Sequence, residues 1–296
     1  MSAGDRYATP AAFRRALTDR LKVAAEEGRW TLQQLQRQVA YDRLLERLYL
    51  IDDGWIVKGA TALLARNIGV RGSLDVDLYR EATREVAEEE LRRASAADIG
   101  DWFQFEIGGG RAIGYNTVRL SVNAVIGATT WVEFHVDLVG SDIRMTGQPE
   151  DVPPLARGVI PEVEQRGYRA YPLADHVADK VAATYERHGE DRRPSTRFRD
   201  LVDLVAIVGG ASVDSSTQTT ALRSEFDRRG LRLPPSFDVP DRALWEPGYA
   251  AEARRSLLDT AQTLDDALAV VRAFLNPILD ATASGSWRPG PRRWAA

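Results

Sequence analysis

The sequence lacks cysteine altogether and contains only three histidines. Without cysteine the chain cannot form disulfides, use a thiol nucleophile or build the commonest zinc sites. The histidines, His135, His176 and His188, form no metal-ligand pair at helical spacing. No apolar run reaches the roughly 18 residues of a transmembrane helix, and the first residues lack the apolar stretch of a secretory signal. We therefore expect a cytoplasmic protein that does not associate with membranes.

Lysine is nearly absent as well. Of the 39 basic residues only Lys22, Lys58 and Lys180 are lysines, so arginine carries almost all of the positive charge. A lysine that persists in such a chain is a candidate for a task that needs a compact, strongly hydrated ammonium group. Lys58 and Lys180 each lie in an unusual segment and are therefore candidate functional residues.

Length and composition indicate a globular protein. The chain has 296 residues, of which 44% are hydrophobic and 28% are charged, which suits one large domain or two of ordinary size. The net charge of −4 argues against a surface that binds nucleic acid everywhere, although a local arginine patch remains compatible with it.

The most informative segment runs from Lys58 to Leu78. It predicts a short helix that a lysine and a glycine open, then a turn, then a strand from about Leu74 to Tyr79. Alternate residues of a strand point to the same face, so Asp75 and Asp77 lie side by side. Two carboxylates at this spacing repel each other unless a cation or a proton resolves the conflict, and Mg²⁺ or Mn²⁺ would do so. The alternative is an exposed edge strand with acidic residues on its solvent face.

The remaining pattern predicts an α+β protein: a mixed, mostly antiparallel sheet with flanking helices, followed by a helical C-terminal domain. Two helices precede the sheet, the first running from Pro10 to about Glu27 and the second capped by Thr31. A segment rich in proline and glycine, 145–168, predicts a linker and a division into domains 1–165 and 166–296. Gly108–Gly110 is interpreted as a turn. Further elements are expected as strands near 102–107, 118–124 and 130–139, and helices near 82–97, 172–187, 195–209, 214–229, 250–262 and 264–281.

The C-terminal tail carries Trp287 and Trp294 among several arginines. These residues could stack on nucleic-acid bases, because aromatic rings and guanidinium groups both offer planar faces. Alternatively, the tryptophans pack the tail against the body of the protein.

A third carboxylate, Asp137, lies on another predicted strand and completes a chemically meaningful set. Three carboxylates could hold two Mg²⁺ ions that activate an attacking hydroxyl and stabilise the leaving pyrophosphate of an NTP. The turn at Gly59 would let backbone N–H groups approach phosphate oxygens, and the Ser73 hydroxyl could donate to a phosphate. Lys180 would neutralise triphosphate charge. Arg71 could do the same, with a weaker signal among 36 arginines.

Gly59-Ala60 ahead of Asp75-Val76-Asp77 resembles the signature of the DNA polymerase β-like nucleotidyltransferase superfamily. The resemblance implies that Asp137 is the third carboxylate that this superfamily usually has. Three segments resemble, more narrowly, the AbiEii/MenT family of toxin nucleotidyltransferases. They are Lys58–Leu63 together with Ser73–Leu78, Leu173–Ala182 around Lys180, and Arg197–Leu204. The chain departs from the superfamily at Gly59-Ala60, where Gly-Gly or Gly-Ser is usual. The third segment offers both Asp200 and Asp203, and the sequence leaves open which of them faces the nucleotide.

The resemblance implies a Mg²⁺-dependent toxin of a type IV-like toxin–antitoxin, or abortive-infection, pair. It would transfer nucleotides from an NTP to RNA, the tRNA 3′ acceptor end in particular, and so block translation. A neighbouring gene would encode its cognate antitoxin. The predicted site residues are catalytic Asp75, Asp77, Lys180 and Asp200; nucleotide-binding Lys58, Gly59, Thr61, Arg71, Ser73 and Asp203; metal-binding Asp75, Asp77 and Asp137; and RNA-binding Arg192, Arg193 and Arg197.

Other interpretations compete with this one. The same acidic motif occurs in small-molecule nucleotidyltransferases of the antibiotic-modifying kind, and the fold could also serve as a non-catalytic module that binds NTP or a partner. Lys180 could simply pair with Asp175 or Asp179, and Asp200 and Asp203 could form an ordinary salt-bridged helix face. The sequence does not determine which NTP or RNA is used, how many nucleotides are added or the oligomeric state.

Overall fold

A computed structural model describes residues 6–113, 116–141, 143–159, 161 and 163–296. The chain divides into two compact units. The first, here called the sheet unit, comprises Met1–Arg66, Gly72–Ile143 and Glu150–Ala170. The second, the helical unit, comprises Asn67–Arg71, Arg144–Pro149 and Tyr171–Ala296. Two short segments that precede residue 150 thus belong to the helical unit, and the domain boundary near residue 165 stays a prediction.

The sheet unit contains four helices and seven strands in its described residues. The helices are α1 (Pro10–Glu27), α2 (Leu32–Ile51), α3 (Gly59–Ala65) and α4 (Arg84–Ser95). The strands are β1 (Trp55–Lys58), β2 (Asp75–Arg80), β3 (Phe103–Ala112), β4 (Thr117–Ile126), β5 (Thr129–Val139), β6 (Glu150–Val152) and β7 (Tyr168–Ala170).

The first two helices begin where their capping residues predict. The Thr9 side chain accepts a hydrogen bond from the Ala12 N–H, and Pro10 follows as the first helical residue. Thr31 and Gln34 form a capping box in which each side chain bonds the other's backbone. Each cap satisfies N–H groups that the first helical turn leaves without an intrahelical partner, so these helix starts are fixed locally.

The seven strands form one mixed sheet in the order β3-β4-β5-β2-β1-β7-β6. β2 runs parallel to β5 and β1 runs parallel to β7, while the other neighbouring strands are antiparallel. Val76 and Leu78 of β2 are fully buried in the hydrophobic core, whereas Asp75 and Asp77 point to the opposite, partly exposed face. The mixed sheet with its helices confirms the predicted α+β fold class.

Two predictions about the sheet unit were wrong. Gly108–Gly110 is not a turn: it lies inside β3, where the pairing with β4 shifts register between Ile107 and Gly110. Glycine lets a strand accommodate such an irregularity, which is why the sequence alone suggested a break. The segment 145–168 is not simply a linker, because β6 and the start of β7 lie within it and pair with each other.

The helical unit contains five helices and two short hairpins in its described residues. The helices are α5 (Leu173–Tyr185), α6 (Phe198–Gly210), α7 (Ser215–Arg228), α8 (Arg242–Arg254) and α9 (Leu264–Leu279). The strands are β8 (Arg187–His188), β9 (Arg193–Pro194), β10 (Ser286–Arg288) and β11 (Arg293–Ala295). The helix expected at 250–262 was misplaced: α8 begins earlier, where the Asp241 side chain accepts from the Leu244 N–H.

The C-terminal tail packs onto the helical unit by its tryptophans. Trp287 is completely buried, and its indole N–H donates to the Val208 carbonyl at 2.8 Å. The Trp294 indole N–H donates to the Phe274 carbonyl at 3.0 Å. Of the two interpretations of the tail, packing therefore describes the structure. Across the described part of the chain, no helix combines the length and hydrophobicity that a membrane span requires.

Candidate active site

Four charged side chains lie in one row across the sheet. Strand register places Lys58 of β1 opposite Asp77 of β2, Asp77 opposite Asp137 of β5, and Asp137 opposite Arg119 of β4. Asp75 lies two residues before Asp77 on the same face and opposite His135. The structure therefore brings together the three carboxylates and the lysine that the sequence proposed, and adds Arg119 at the other end of the row.

Arg119 is the site residue that the sequence interpretation missed. Its Nε and Nη2 atoms donate to the two Asp137 oxygens at 2.7 and 2.6 Å, and Nη2 also lies 3.4 Å from Asp75 Oδ2. These hydrogen bonds to Asp137 raise the pKa of the Arg119 guanidinium further above its already high usual value. The sequence did not indicate a role for Arg119, because it is one of 36 arginines. Only the pairing of β4 with β5 could have identified it.

Hydroxyl groups fix the backbone that carries Asp75. The Ser73 hydroxyl donates to the Asp75 carbonyl at 2.6 Å, and the Thr61 hydroxyl donates to the same oxygen at 3.3 Å. Tyr41, a second residue that the sequence interpretation missed, donates to the Ser73 carbonyl at 3.0 Å. His135 Nδ1 lies 3.4 Å from the Asp75 carboxylate. Ser73 and Thr61 were predicted to bind nucleotide, and in this structure their hydroxyls support the start of β2.

Gly59 occupies a position that only glycine fits. Its φ of +58° lies in the left-handed region, which other residues adopt at a cost. A Cβ added there would lie 1.8 Å from Asp77 Oδ2, so a side chain would displace the carboxylate. The predicted turn between β1 and α3 is therefore what allows Asp77 to lie against the backbone.

The helical unit holds a second, buried cluster around Lys180. The Lys180 ammonium donates to Asp200 Oδ1 at 2.9 Å and to Asp203 Oδ2 at 2.7 Å, and the three side chains are at most 7% exposed. Arg71 donates through two nitrogens to Asp203, at 2.8 and 2.7 Å, and Arg197 bonds Asp200. Three cations therefore surround two carboxylates. Lys180 pairs with both aspartates, so the cluster does not single out one of them.

Charge pairing opposes the cost of burial in this cluster. Burial by itself would raise the pKa of the Asp200 carboxyl, but Lys180 and Arg197 outweigh it and hold that pKa well below its usual value. Burial would lower the pKa of Lys180, yet Asp200 and Asp203 raise it above its usual value. Asp200 and Lys180 are therefore both charged at neutral pH. Lys180 does not bond Asp175, whose carboxylate instead accepts from Thr146 and Gly147.

The predicted RNA-binding arginines differ in whether they pair with a carboxylate. Arg192 and Arg193 are exposed at the β8–β9 hairpin, where Arg192 has a left-handed φ of +49°. The side chain of Arg197 is 57% exposed but bonds Asp200, which ties its guanidinium to the Lys180 cluster. Arg187 and His188 add two further exposed basic side chains to the hairpin.

The carboxylates on the sheet differ in how well they suit a divalent cation. Asp75 and Asp77 fit one, since both present hard oxygen ligands from one strand on a partly exposed face. Asp137 gives both of its oxygens to Arg119, so its role as a metal ligand stays a prediction. Within the described residues, no three histidine, aspartate or glutamate side chains are grouped as ligands of one ion.

Comparisons with known proteins place the chain in a family. Residues 43–270 match the family described as nucleotidyl transferase AbiEii toxin, type IV toxin–antitoxin system. A search of curated proteins found no match. Among solved structures, MenT4, a nucleotidyltransferase toxin from Mycobacterium tuberculosis, is similar with a TM-score of 0.58 and 19% identity over 88% of this chain and 89% of its own. JHP933 from Helicobacter pylori gives a TM-score of 0.48 and 14% identity over 83% of this chain and 94% of its own. The chain thus belongs to the AbiEii family of toxin nucleotidyltransferases.

Proposed function

We propose that this chain transfers a nucleotide from an NTP to the 3′ end of an RNA, tRNA in particular, in a reaction that depends on a divalent cation. Membership of the AbiEii family implies the NTP substrate and an antitoxin partner. Modification of the acceptor end would prevent aminoacylation of tRNA and so inhibit translation. The Asp75–Asp77 pair is the single observation that carries the catalytic part of this proposal.

Asp75 and Asp77 would hold the cation. When bound there, Mg²⁺ or Mn²⁺ supplies positive charge to the triphosphate and lowers the pKa of the attacking hydroxyl. In the transfer, the RNA 3′ oxygen forms a bond to the α-phosphorus, the bond to pyrophosphate breaks, and the hydroxyl proton passes to water. The hydroxyls of Ser73 and Thr61 hold the Asp75 backbone in place, which keeps the carboxylate oriented for this role.

Lys180 is proposed to serve the same reaction through its charge. The ammonium group would stabilise negative charge that develops on the phosphates, a role for which a compact cation is suited. Asp200 and Asp203 hold Lys180 in one position and keep it protonated, since both carboxylates raise its pKa. We therefore assign the two aspartates to the positioning of Lys180, with Arg71 fixing Asp203 in turn.

The β8–β9 hairpin is the proposed RNA contact of the helical unit. Its exposed arginines, Arg187, Arg192 and Arg193, can pair with phosphates, in a chain whose overall charge is −4. Phosphate contacts release counterions, so RNA affinity should fall steeply as the salt concentration rises. Replacing Arg192 and Arg193 together by alanine should weaken RNA binding and leave NTP binding unchanged.

A transfer assay tests the proposal directly. The protein is incubated with total RNA, purified tRNA or no RNA, with each labelled NTP in turn, and with Mg²⁺ or EDTA. We expect label on tRNA with one or a few NTPs, none in EDTA and none with Asp75→Asn. Label on a small molecule in a cell extract but not on RNA would favour the antibiotic-modifying alternative. NTP binding without any transfer would favour the non-catalytic one.

A further inference from the structure

Arg119 takes carboxylate oxygens that a second metal ion would need as ligands. Its guanidinium bonds both oxygens of Asp137 and reaches Asp75 Oδ2 at 3.4 Å. Planar pairing of this kind uses the lone pairs that a carboxylate would otherwise offer to a cation. Asp137 is 13% exposed as a side chain, so little of it remains for any other ligand.

The charges of the row favour the same conclusion. Asp75, Asp77 and Asp137 contribute three negative charges, and Lys58 and Arg119 contribute two positive charges at the ends of the row. The set is therefore close to neutral before any metal binds. A single divalent cation makes it positive and suited to a triphosphate, whereas a second would be repelled by the guanidinium beside it.

We propose that the Arg119 guanidinium takes the Asp137 oxygens that a second metal ion would need as ligands, so that this site binds one divalent cation, on Asp75 and Asp77. The inference rests on the proposed function, which it sharpens. Arg119 is then a positioning residue that holds Asp137 and limits the number of metal ions. A purely structural role in pairing β4 with β5 would not affect that number.

Titration with Mn²⁺ alone counts the ions. Free Mn²⁺ gives a strong electron paramagnetic resonance signal that binding broadens, so the bound fraction is measured directly. We expect about one Mn²⁺ per chain in the wild type. Arg119→Gln releases Asp137 and should bind about two, with dipolar coupling between them. Two coupled ions in the wild type, or a single ion in folded Arg119→Gln, would overturn the inference.

Two further variants keep the test decisive. Arg111 lies opposite Arg119 on β3 and is exposed, so Arg111→Gln removes the same charge one strand away and should leave one ion bound. Asp137→Asn should also keep one ion, because Asp137 is not a ligand in this proposal. Loss of an ion in Asp137→Asn would overturn the inference even if Arg119→Gln failed to fold.

The same titration separates this inference from the proposed function. Asp75→Asn should abolish Mn²⁺ binding if the cation sits on the Asp75–Asp77 pair. No binding in the wild type, or equal binding in Asp75→Asn, would contradict the metal-dependent function itself. Binding of two ions would leave that function in place and reject only the role given to Arg119.

Discussion

The two charged clusters of this protein use opposite electrostatic designs. On the sheet, three carboxylates share a partly exposed face with two cations, and Asp75 and Arg119 are each 32% exposed as side chains. In the helical unit, Lys180, Asp200 and Asp203 are buried and bonded to one another. Removing one partner of a buried pair leaves an uncompensated charge, whereas solvent screens a partly exposed one. Substitutions on the sheet should therefore affect activity alone, and those around Lys180 should affect stability as well.

The largest effect is expected at the metal-binding pair. Asp75→Asn or Asp77→Asn should reduce nucleotide transfer by at least about a thousandfold, roughly 4 kcal/mol, because one of two cation ligands is lost. The melting temperature should change little, since solvent screens charges on this partly exposed face. Glu133→Gln is the matched control, because Glu133 is exposed on the same face of β5 as Asp137. This variant should leave nucleotide transfer unchanged. A large loss of stability in Asp75→Asn would show that these acids are structural.

Substitution of Lys180, unlike that of Asp75, should reduce stability as well as activity. Lys180→Ala leaves Asp200 and Asp203 buried beside a missing cation, and should cost about 3–5 kcal/mol of unfolding free energy as well as activity. The exposed Lys22, whose ammonium lies 3.5 Å from Asp19 Oδ1, is the control, and Lys22→Ala should cost roughly 0.5 kcal/mol or less. Denaturant unfolding of both variants measures the difference. Equal stability of the two would remove the distinction between the clusters.

Lys180→Arg separates charge from shape. A guanidinium keeps the positive charge but cannot replace a compact ammonium between two buried carboxylates. We expect transfer activity to fall by at least about a hundredfold, the loss typical of one missing stabilising group. Full activity of this variant, measured beside the wild type at equal concentration, would mean that only a diffuse positive charge is required.

The pH dependence of stability should differ between the units. The pKa of Asp200 is lowered, so its ionised form stabilises the fold above the unfolded-state pKa of about 4, and this is lost as the pH falls through the folded-state value. Burial raises the pKa of Asp42 in the sheet unit to about 6. In the folded state Asp42 holds its proton more tightly than in the unfolded state. The contribution of Asp42 to stability therefore declines as the pH rises from about 4 to about 6.

Unfolding of the wild type, Asp200→Asn and Asp42→Asn between pH 3 and 7 tests this contrast. The stability advantage of the wild type over Asp200→Asn should shrink below about pH 4. Relative to Asp42→Asn, the wild type should lose on the order of 2–3 kcal/mol as the pH rises from about 4 to about 6, since raising a pKa from about 4 to about 6 corresponds to that free energy. Parallel pH profiles for the two variants would contradict the opposite signs.

The smallest effect is expected at Gly59. Gly59→Ala forces a residue with a Cβ to adopt a left-handed φ, which costs roughly 1–2 kcal/mol, and displaces the Asp77 carboxylate. Gly158 has a similar φ of +70° with nothing within 4 Å of an added Cβ, so Gly158→Ala isolates the backbone cost. Gly59→Ala should lose at least as much stability as Gly158→Ala, and only Gly59→Ala should lose Mn²⁺ affinity. Unchanged affinity there would show that Asp77 does not need its present position.

Local features of the sequence were sufficient where the physics is local. Capping by Thr9 and Thr31 satisfies nearby N–H groups, so both helix starts could be predicted. Strand alternation put Asp75 and Asp77 on one face and Val76 on the other. The glycine run in β3 was misinterpreted because a bulge and a turn share the same local composition, and only pairing with β4 distinguishes them.

The family and the acidic motif could be recognised in the sequence by itself, because their residues are close together and ordered along the chain. The partners of those residues were decided by tertiary structure. Arg119 meets Asp137 only through the register of β4 against β5, and Arg71 meets Asp203 across 132 positions. In a chain with 36 arginines, no spacing rule predicts that these two pair with Asp137 and Asp203. An ion pair depends on distance in space, and folding sets that distance for residues far apart in sequence.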